Sequence, residues 1–262
     1  MLILLKNNAA EHDITRLIES IKQSGYSYAR HREGRTDMIE LEGAPAYFQL
    51  DFFKSFPSVK KVVTSLDFSE KVYRANKKGD TVITAGGRRI GGKNIELIAG
   101  PCSVESFEQT ERIARSLSEL GVKLFRGGAY KPRTSPYSFQ GLNEKGLKIL
   151  SEVAKKYKMA IVTELLDVRN IDKVCEYADI IQIGTRNASN YPLLKEAGKL
   201  KKTILLKRGV SSTIKEFLLS AEYIMCQGNS RIILCERGIK TFETAAYRTS
   251  LDITAVSIIK EV

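Results

Sequence analysis

The chain has 262 residues, of which 43% are hydrophobic and 27% charged, a composition typical of soluble globular proteins. Its apolar runs, such as residues 1–5, are far shorter than the roughly 18 residues that a membrane-spanning helix needs. The net charge of +12 is compatible with nucleic-acid binding, but the sequence shows no helix-turn-helix or RNP pattern and no basic stripe with interleaved aromatic residues. We therefore expect neither a membrane nor a nucleic acid as partner.

The four cysteines indicate a reducing compartment. They form no C-x-x-C pair, and no basic segment precedes the short apolar run at the N-terminus, as it would in a secretory signal. Cysteines in such a pattern, in a chain of this size, are typical of cytosolic proteins in which thiols stay reduced. We expect a cytoplasmic protein without disulfide bonds.

The first part of the chain alternates rapidly between strand and helix patterns. A short apolar strand and an amphipathic helix are followed by two alternating strands joined at Glu33-Gly34. A helical segment (46–56) and a last strand (59–65) complete the pattern. The order β-α-β-β-α-β predicts a ferredoxin-like α+β domain over residues 1–65.

This first domain holds the only two histidines of the chain, His12 and His31, but no cluster of residues with catalytic chemistry. We therefore expect residues 1–65 to sense a small molecule or to support assembly rather than to catalyse a reaction. Residues 66–93 form a polar connection that includes a predicted short hairpin over residues 81–92.

A regular alternation of apolar strands and amphipathic helices begins at residue 94. Near-continuous apolar strands between helices are typical of a parallel sheet that is covered on both faces. Six such units without a nucleotide-binding fingerprint favour a (β/α)8-type TIM barrel over a doubly wound sheet for residues 94–262, although a full barrel has eight units. The predicted strands span residues 95–100, 122–128, 159–165, 179–185, 202–209 and 231–238.

Positively charged residues follow the predicted strands. Every strand from the second to the sixth ends in charged side chains, and in a TIM barrel these ends face the reactive side. Cations spread over helix surfaces would give the same net charge without this placement. Convergent cations repel one another unless anions compensate them, and Arg pairs well with phosphate and carboxylate oxygens. We predict a site for a polyanionic small molecule, bordered by Arg126, Lys131, Arg133, Arg186, Lys207 and Arg237.

Two other residues at strand ends leave alternatives open. Cys102 follows Gly-Pro at the end of the first barrel strand, and it is either a small buried hydrophobe or a functional thiolate. Without a histidine in this part of the chain, a metal ligand is the better functional interpretation than a Cys/His nucleophile. Glu164 ends the third barrel strand among cations. It either neutralises an arginine or orients water and substrate.

Five segments of the chain form a characteristic set: GPCSVES (100–106), GGAYKPRTSPYSFQG (127–141), QIGTRNASNY (182–191), LLKRG (205–209) and CERGIKTFE (235–243). These segments resemble 3-deoxy-D-arabino-heptulosonate-7-phosphate (DAHP) synthases, and the N-terminal domain resembles the regulatory domain of one subgroup. KPRTS, within the second segment, is the most specific signal, because the sister enzymes that make the eight-carbon analogue carry an Asn-Arg-Ser-Ser type segment there. The resemblance implies condensation of phosphoenolpyruvate with erythrose 4-phosphate, the first step of the shikimate pathway to aromatic amino acids.

The same resemblance implies roles for the residues that bind the donor substrate. Cys102 would be one ligand of a catalytic divalent metal ion such as Mn, Co, Fe or Zn. Lys131 would bind phosphoenolpyruvate and also donate a proton. The carboxylate of phosphoenolpyruvate would bind Arg126, Lys131 and Lys207, and its phosphate Arg186 and Arg237, with Glu164 nearby.

For the acceptor, the resemblance implies that Arg133 and Thr134 bind the phosphate of erythrose 4-phosphate. It also implies an aromatic amino acid as effector of the N-terminal domain, and assembly into a homo-oligomer, specifically a tetramer. These expectations rest on the likeness to the family and not on the spacing of the residues.

The chain departs from the family in the number of barrel units. Members of the family continue with a strand that ends in an Asp-Pro-Ser-His-Ser segment and with a further acidic strand, and together these complete the metal site. This sequence has no histidine after His31, so we expect the chain as given to bind the metal poorly. It is interpreted either as a shortened form of a longer enzyme or as a non-catalytic relative that binds phosphorylated small molecules.

Overall fold

The computed structural model describes residues 1–33, 36–42, 50–63, 71–73, 79–242 and 249–261. The chain divides into two compact units, one comprising Met1–Ala75 with Lys260–Val262 and the other Asn76–Ile259. Gly34 of the predicted hairpin turn and residues 46–49 of the predicted helical segment lie outside the described residues.

The first unit is a four-stranded antiparallel sheet with two helices. Its strands lie in the order β2-β3-β1-β4, and all neighbouring strands are antiparallel. The order of elements along the chain is the one that the sequence predicts. The elements are β1 (Leu2–Leu5), α1 (Glu11–Gln23), β2 (Ser27–Glu33), β3 (Thr36–Glu42), α2 (Leu50–Lys54) and β4 (Val59–Val63).

Helix α1 forms because its apolar residues recur on a single face. Ile14, Leu17 and Ile21 are all buried, and they share one core with Ile3 of β1 and Phe53 of α2. The helix begins with acidic residues in its first turn and carries a basic residue in its last, which suits the helix dipole. Burial of this face against the sheet holds the first unit together.

The second unit begins with the predicted hairpin, β5 (Ile83–Ala85) and β6 (Arg88–Ile90). Ala85 is buried in a core that includes Ala160 and Leu124. Because Ala160 is the first residue of its own strand, the hairpin packs at the amino ends of the parallel strands. The opposite, carboxyl ends are left for the functional site.

Six βα units follow in chain order, and their strands form one parallel sheet in sequential order. This curved arrangement is part of a TIM barrel, so the predicted fold class is confirmed. Within the described ranges, no helix has the length and apolar character needed to cross a membrane. The strands are β7 (Ile98–Ala99), β8 (Leu124–Arg126), β9 (Ala160–Leu165), β10 (Ile180–Ile183), β11 (Thr203–Lys207) and β12 (Ile232–Cys235). The helices are α3 (Phe107–Glu119), α4 (Glu144–Lys156), α5 (Ile171–Tyr177), α6 (Tyr191–Gly198), α7 (Ile214–Met225) and α8 (Ile253–Glu261).

The strands are shorter than the sequence predicts. β7 covers two residues instead of residues 95–100, since Ile95 and Leu97 lie outside the ladder and are 91% and 63% exposed. All four residues of β10, in the middle of the sheet, are buried. Hydrophobic character alone does not separate an exposed apolar residue beside a strand from a residue within it.

The register of the parallel strands determines which side chains meet. Gln182 of β10 pairs with Glu164 of β9, and Lys207 of β11 pairs with Cys235 of β12. Because side chains alternate between the two faces of a strand, paired residues point to the same side of the sheet. Glu164 and Gln182 are therefore neighbours on one side of the sheet.

Candidate active site

A cavity of about 540 Å³ lies at the carboxyl ends of the parallel strands. It is lined by every residue that the sequence singles out for the site, and these residues lie at the carboxyl ends of the strands or in the segments that follow them. The strand ends are therefore brought together as the barrel interpretation predicts. These nine residues are Cys102, Arg126, Lys131, Arg133, Thr134, Glu164, Arg186, Lys207 and Arg237.

The cations of this cavity have no salt-bridge partner among the residues that the structure describes. Six of the lining residues are Arg or Lys, whereas Glu164 is the single carboxylate among them. Across the described ranges of the chain, none of the six forms a salt bridge, although twelve Lys, Arg or His pairs elsewhere do so. The cavity is thus a concentrated positive charge that a polyanion would compensate.

Three of the cavity guanidinium groups donate to neutral acceptors. Arg186 donates to the Thr134 hydroxyl over 3.3 Å and Arg126 to the Cys102 carbonyl over 3.4 Å. Arg133 donates to the carbonyl of Phe139 over 3.1 Å. Nη1 of Arg237 is buried and has no hydrogen-bond partner among the described residues. Donors held in this way can turn to a charged ligand at little cost in lost protein contacts.

Lys131 is packed against the segment that carries Cys102. Its side chain is 8% exposed, and its Nζ donates to the Cys102 carbonyl over 2.8 Å and approaches the sulfur at 3.6 Å. A Cβ at Gly128 would lie 2.9 Å from both Lys131 Nζ and the Cys102 carbonyl oxygen, so only glycine permits this packing. Burial tends to raise the pKa of the Cys102 thiol, but the charge of Lys131, its hydrogen bond and the nearby Arg126 together lower this pKa.

Glu164 is held in place by Gln182 and by the absence of a side chain at position 184. Nε2 of Gln182 donates to the Glu164 carboxylate over 3.0 Å. A Cβ at Gly184 would lie 1.9 Å from Oε1 of the same carboxylate, so any larger residue would displace it. The sequence pattern did not single out Gln182, which is one polar residue within an apolar run; its pairing with Glu164 becomes visible only in the register of the sheet.

The ionisable groups in the depth of the cavity are shifted towards their neutral forms. Burial raises the pKa of Glu164, although the charges of Lys131 and Lys207 act in the opposite direction. Burial lowers the pKa of Lys207, and the neighbouring charges of Arg126 and Arg237 contribute to this change. Groups whose pKa values are moved towards neutrality are suited to accept and release protons.

The described residues do not fit a metal site. Among them, no three His, Cys, Asp or Glu side chains lie close enough together to hold one ion. Cys102 is present in the cavity, but its nearest charged neighbour is the ammonium group of Lys131. Catalytic metal sites usually have three protein ligands. No chemical step is therefore assigned to a metal here.

Comparison with known proteins gives close relatives across the whole chain. The chain is 50% identical over 261 residues to the phospho-2-dehydro-3-deoxyheptonate aldolase of Thermotoga maritima, covering 100% of this chain and 77% of the relative. A 2-dehydro-3-deoxyphosphooctonate aldolase of Syntrophotalea carbinolica is 33% identical over 155 residues, with 56% of each chain covered. The heptulosonate enzyme thus matches more of the chain, at higher identity, than this octulosonate enzyme.

Solved structures and a family sequence model also match DAHP synthases. The crystal structure of the Thermotoga maritima DAHP synthase matches 99% of this chain and 76% of that one, with a TM-score of 0.72 at 50% identity. A truncated form of the Thermotoga maritima enzyme matches with a TM-score of 0.64 at 58% identity, covering 70% of this chain and 66% of that one. The sequence model of the DAHP synthetase I family matches residues 75–262. With the cavity residues in place on the barrel wall and this match over most of its length, the chain belongs to the DAHP synthetase I family, whose enzymes are aldolase-type transferases.

Proposed function

We propose that the cavity condenses phosphoenolpyruvate with erythrose 4-phosphate to 3-deoxy-7-phosphoheptulonate and inorganic phosphate, the first step of aromatic amino acid biosynthesis through the shikimate pathway. The observation that carries this proposal is the group of six cations in one cavity, none of which has a salt-bridge partner in the described part of the chain. Two phosphorylated substrates, one of which also carries a carboxylate, supply the negative charge that this cavity lacks.

The donor site is formed by the inner cations. Arg126, Lys131 and Lys207 hold the carboxylate of phosphoenolpyruvate, and Arg186 and Arg237 hold its phosphate. The open Nη1 of Arg237 supports this assignment, since a buried donor without an acceptor is costly unless a ligand supplies one. Bidentate Arg–phosphate bonds also fix the orientation of the donor.

The acceptor site is formed by the loop between β8 and α4. Arg133 and Thr134 of this loop line the cavity and hold the phosphate of erythrose 4-phosphate. The loop places the aldehyde over the donor, because Arg186 of the donor site contacts the Thr134 hydroxyl. Binding both substrates in fixed positions supplies much of the rate enhancement in a bond-forming reaction.

The reaction then needs proton transfer at two atoms. Carbon 3 of phosphoenolpyruvate attacks the aldehyde carbon, and the aldehyde oxygen takes a proton from Lys131. Water adds to carbon 2 and gives a proton to Glu164, which orients it. The bond between carbon 2 and the phosphate oxygen then breaks, the leaving phosphate takes the proton from Glu164, and the remaining hydroxyl at carbon 2 returns a proton to Lys131 as the ketone forms. The buried position of Glu164, which raises its pKa, favours a role in accepting and returning the proton of the water.

The family is generally metal-dependent, and we propose Cys102 as one ligand of a divalent ion such as Mn, Co, Fe or Zn. The described residues do not complete this site. This supports a second candidate function, that of a non-catalytic relative which binds phosphorylated small molecules. Calorimetric binding of phosphoenolpyruvate without phosphate release would favour the second function over the first.

Choice of the acceptor is tested by the release of inorganic phosphate with erythrose 4-phosphate or arabinose 5-phosphate. We expect a preference for the four-carbon sugar, and the Lys131→Met variant serves as the control for background hydrolysis. Preference for the pentose would contradict the proposal and favour the octulosonate reaction.

The N-terminal unit is proposed as a regulatory domain, ferredoxin-like over residues 1–65, that binds an aromatic amino acid within a cytoplasmic homotetramer. Its β-α-β-β-α-β order and separate core support a module that folds by itself. Deletion of residues 1–65 should leave the affinity for phosphoenolpyruvate unchanged and abolish inhibition by Tyr or Phe. Sedimentation of the whole chain as a monomer would contradict the tetramer.

A further inference from the structure

We propose that Glu236 is a positioning residue: locked by Arg208, it fixes the backbone from which Arg237 reaches the bound anion. The inference deepens the proposed function, because it rests on Arg237 as a phosphate ligand. Glu236 does not line the cavity, and its action is exerted through its neighbour in the chain.

A buried ion-pair network lies behind the cavity wall, between the ends of β11 and β12. Nη1 of Arg208 donates to Oε2 of Glu236 over 2.9 Å and to the Asp252 carboxylate over 2.8 Å. Its Nε donates to the carbonyl of Ser212 over 2.9 Å. The side chains of Arg208 and Glu236 are only 7% and 5% exposed, so water does not compete for these bonds. The network is therefore rigid.

The second carboxylate oxygen of Glu236 is bound to the backbone that leads into the cavity. Oε1 accepts from the amide of Arg237 over 2.9 Å and from the amide of Gly238 over 2.5 Å. Two successive amides that point at one fixed oxygen determine the direction of the peptide units on both sides of Arg237. The position of the Arg237 Cα is thus set by a carboxylate that is itself held by Arg208.

The same ion pair also connects the two cationic strand ends. Arg208 directly follows Lys207, and its amide donates to the Cys235 carbonyl over 3.0 Å. Lys207 and Arg237 both line the cavity, whereas Arg208 and Glu236 meet behind it. One buried bond therefore holds two anion-binding groups at a fixed separation.

A purely stabilising role does not account for this arrangement. A buried ion pair is often no more stabilising than apolar residues of similar size, because both charges lose their hydration. The charged pair instead fixes the orientation of the backbone at Arg237, because the Glu236 carboxylate accepts from Arg208 and from two amides at the same time. In metal sites, removal of the groups that hold the ligands in place typically changes affinity or activity by about 10–100-fold, and we expect an effect of this order for Glu236.

The outer member of the network is Asp252, which connects it to α8. Its Oδ2 binds Arg208, and its Oδ1 accepts from the amide of Ala255 at the start of the helix over 3.2 Å. Asp252 is more exposed than the central pair, with 26% of its side chain accessible. We expect it to restrain Arg208 without contacting the residues that bind the anion.

The test is a double-mutant cycle on the whole chain, with the dissociation constants of phosphoenolpyruvate and of inorganic phosphate measured by calorimetry. Glu236→Gln should weaken phosphoenolpyruvate binding about tenfold, since an amide cannot accept from two backbone amides and from Arg208 at once. In the Arg237→Ala background, the same substitution should change binding less than about twofold. Glu111→Gln is the matched control: it removes a carboxylate partner of Lys156 far along the chain and should leave binding unchanged.

Equal weakening by Glu236→Gln in both backgrounds would show a general structural role and overturn the proposal. If Glu236→Gln does not fold, Asp252→Asn takes its place in the same double-mutant cycle. We then expect Asp252→Asn to weaken phosphoenolpyruvate binding only when Arg237 is present. Binding of phosphate without phosphoenolpyruvate by the unaltered chain would contradict the proposed substrate, while the cycle remains measurable with phosphate. If the unaltered chain binds neither phosphoenolpyruvate nor phosphate, both the proposed function and the positioning role of Glu236 are overturned.

Discussion

Two groups of cations in the second unit have opposite surroundings. Outside the cavity lining, Nζ of Lys156 in α4 lies 3.1 Å from Oε1 of Glu111, and Nη2 of Arg169, which precedes α5, lies 2.7 Å from Oδ2 of Asp167. In the cavity, none of the six Arg and Lys residues has a salt-bridge partner among the described residues. These two outer cations are thus paired and exposed, whereas the six cavity cations are partly enclosed and have no ion-pair partner in the described ranges.

The two groups therefore differ in their electrostatic contribution to the stability of the unliganded protein. Exposed ion pairs are screened by water and salt and contribute little to stability. Unpaired cations gathered in one cavity repel one another, which costs stability in the unliganded protein and is relieved when an anion binds. Substitutions in the two groups should therefore differ in the sign and the size of their effects on stability and on ligand affinity.

The largest effect is expected for Arg186→Ala. Loss of charge-assisted hydrogen bonds to phosphate should raise the dissociation constant of phosphoenolpyruvate by about 100-fold, or roughly 2–3 kcal/mol. The melting temperature of the unliganded protein should stay the same or rise, because one repelling charge is removed. Calorimetry and thermal unfolding measure the two quantities. Arg169→Ala is the matched control, and a loss of affinity in that variant would erase the contrast between the groups.

A steric change is expected to have the next largest effect. In Gly184→Ala, the new Cβ would lie 1.9 Å from Oε1 of Glu164, so the carboxylate must leave its place beside Gln182. We expect about tenfold weaker binding of phosphoenolpyruvate and a loss of stability of about 1–3 kcal/mol, the usual cost of overpacking. Gly228→Ala has no atom within 4 Å of its new Cβ, although its φ of +100° disfavours any side chain.

Comparison of Gly184→Ala with Gly228→Ala thus separates the effect of a clash with Glu164 from the effect of backbone strain. Gly228→Ala should lower stability by about 1 kcal/mol through the backbone and leave ligand binding unchanged. Equal loss of affinity in both variants would mean that the packing around Glu164 has no special part in the site.

The paired ends of β11 and β12 show how far the sequence could predict this site. Lys207 and Arg208 are adjacent, and both are cationic residues at the end of an apolar strand. Because successive side chains in a strand point to opposite faces, Lys207 lines the cavity while Arg208 turns behind it to Glu236. The sequence analysis named Lys207 and not Arg208 for the site, and Lys207 does line the cavity. It did not predict that Arg208 pairs with Glu236, because that contact depends on two neighbouring strands.

The barrel strands were predictable for a different reason. Strands such as β9 and β10 are buried on both faces, so their apolar runs are continuous and short. The weak points were the edge strand β7, whose apolar neighbours are exposed, and Gln182, whose function depends on contact with another strand. The sequence predicts features that follow from the run of residues along one strand, such as its burial. It does not predict contacts that depend on the register between two strands, such as the one between Gln182 and Glu164.

A pH-dependent effect is expected at Glu164, where burial has raised the pKa. A carboxyl group with a raised pKa in the folded state binds more protons when folded than when unfolded. Its contribution to stability is therefore least favourable above the folded pKa and improves as the pH falls through it. Glu164→Gln removes this dependence, so it should raise the melting temperature at pH 7 by the order of 2 °C.

The gain from Glu164→Gln should shrink as the pH is lowered towards the ordinary range of a glutamic acid. Thermal unfolding of both proteins between neutral and acidic pH measures this difference. Glu111→Gln is again the control, because its carboxylate lies on the outer helices beside Lys156 and has a lowered pKa, chiefly through the hydrogen bond from Tyr157. A gain for Glu164→Gln that grows on acidification would contradict the assigned direction.

The smallest effect is expected on the outer helices, for Lys148→Ala in α4. Nζ of Lys148 lies 3.0 Å from Oε1 of Glu144 one turn earlier, and the two side chains are 62% and 42% exposed. Both groups are well hydrated, and alanine is an excellent helix former, so the lost ion pair is offset by the better propensity of the new residue. Neither the melting temperature at physiological salt nor the affinity for phosphoenolpyruvate should change measurably.

Lower ionic strength should reveal a slight loss of stability, because less salt screens the pair in the unaltered protein. A clear change in phosphoenolpyruvate binding would show that the charges of the outer helices and those of the cavity act together, and the contrast between the two groups would then fail.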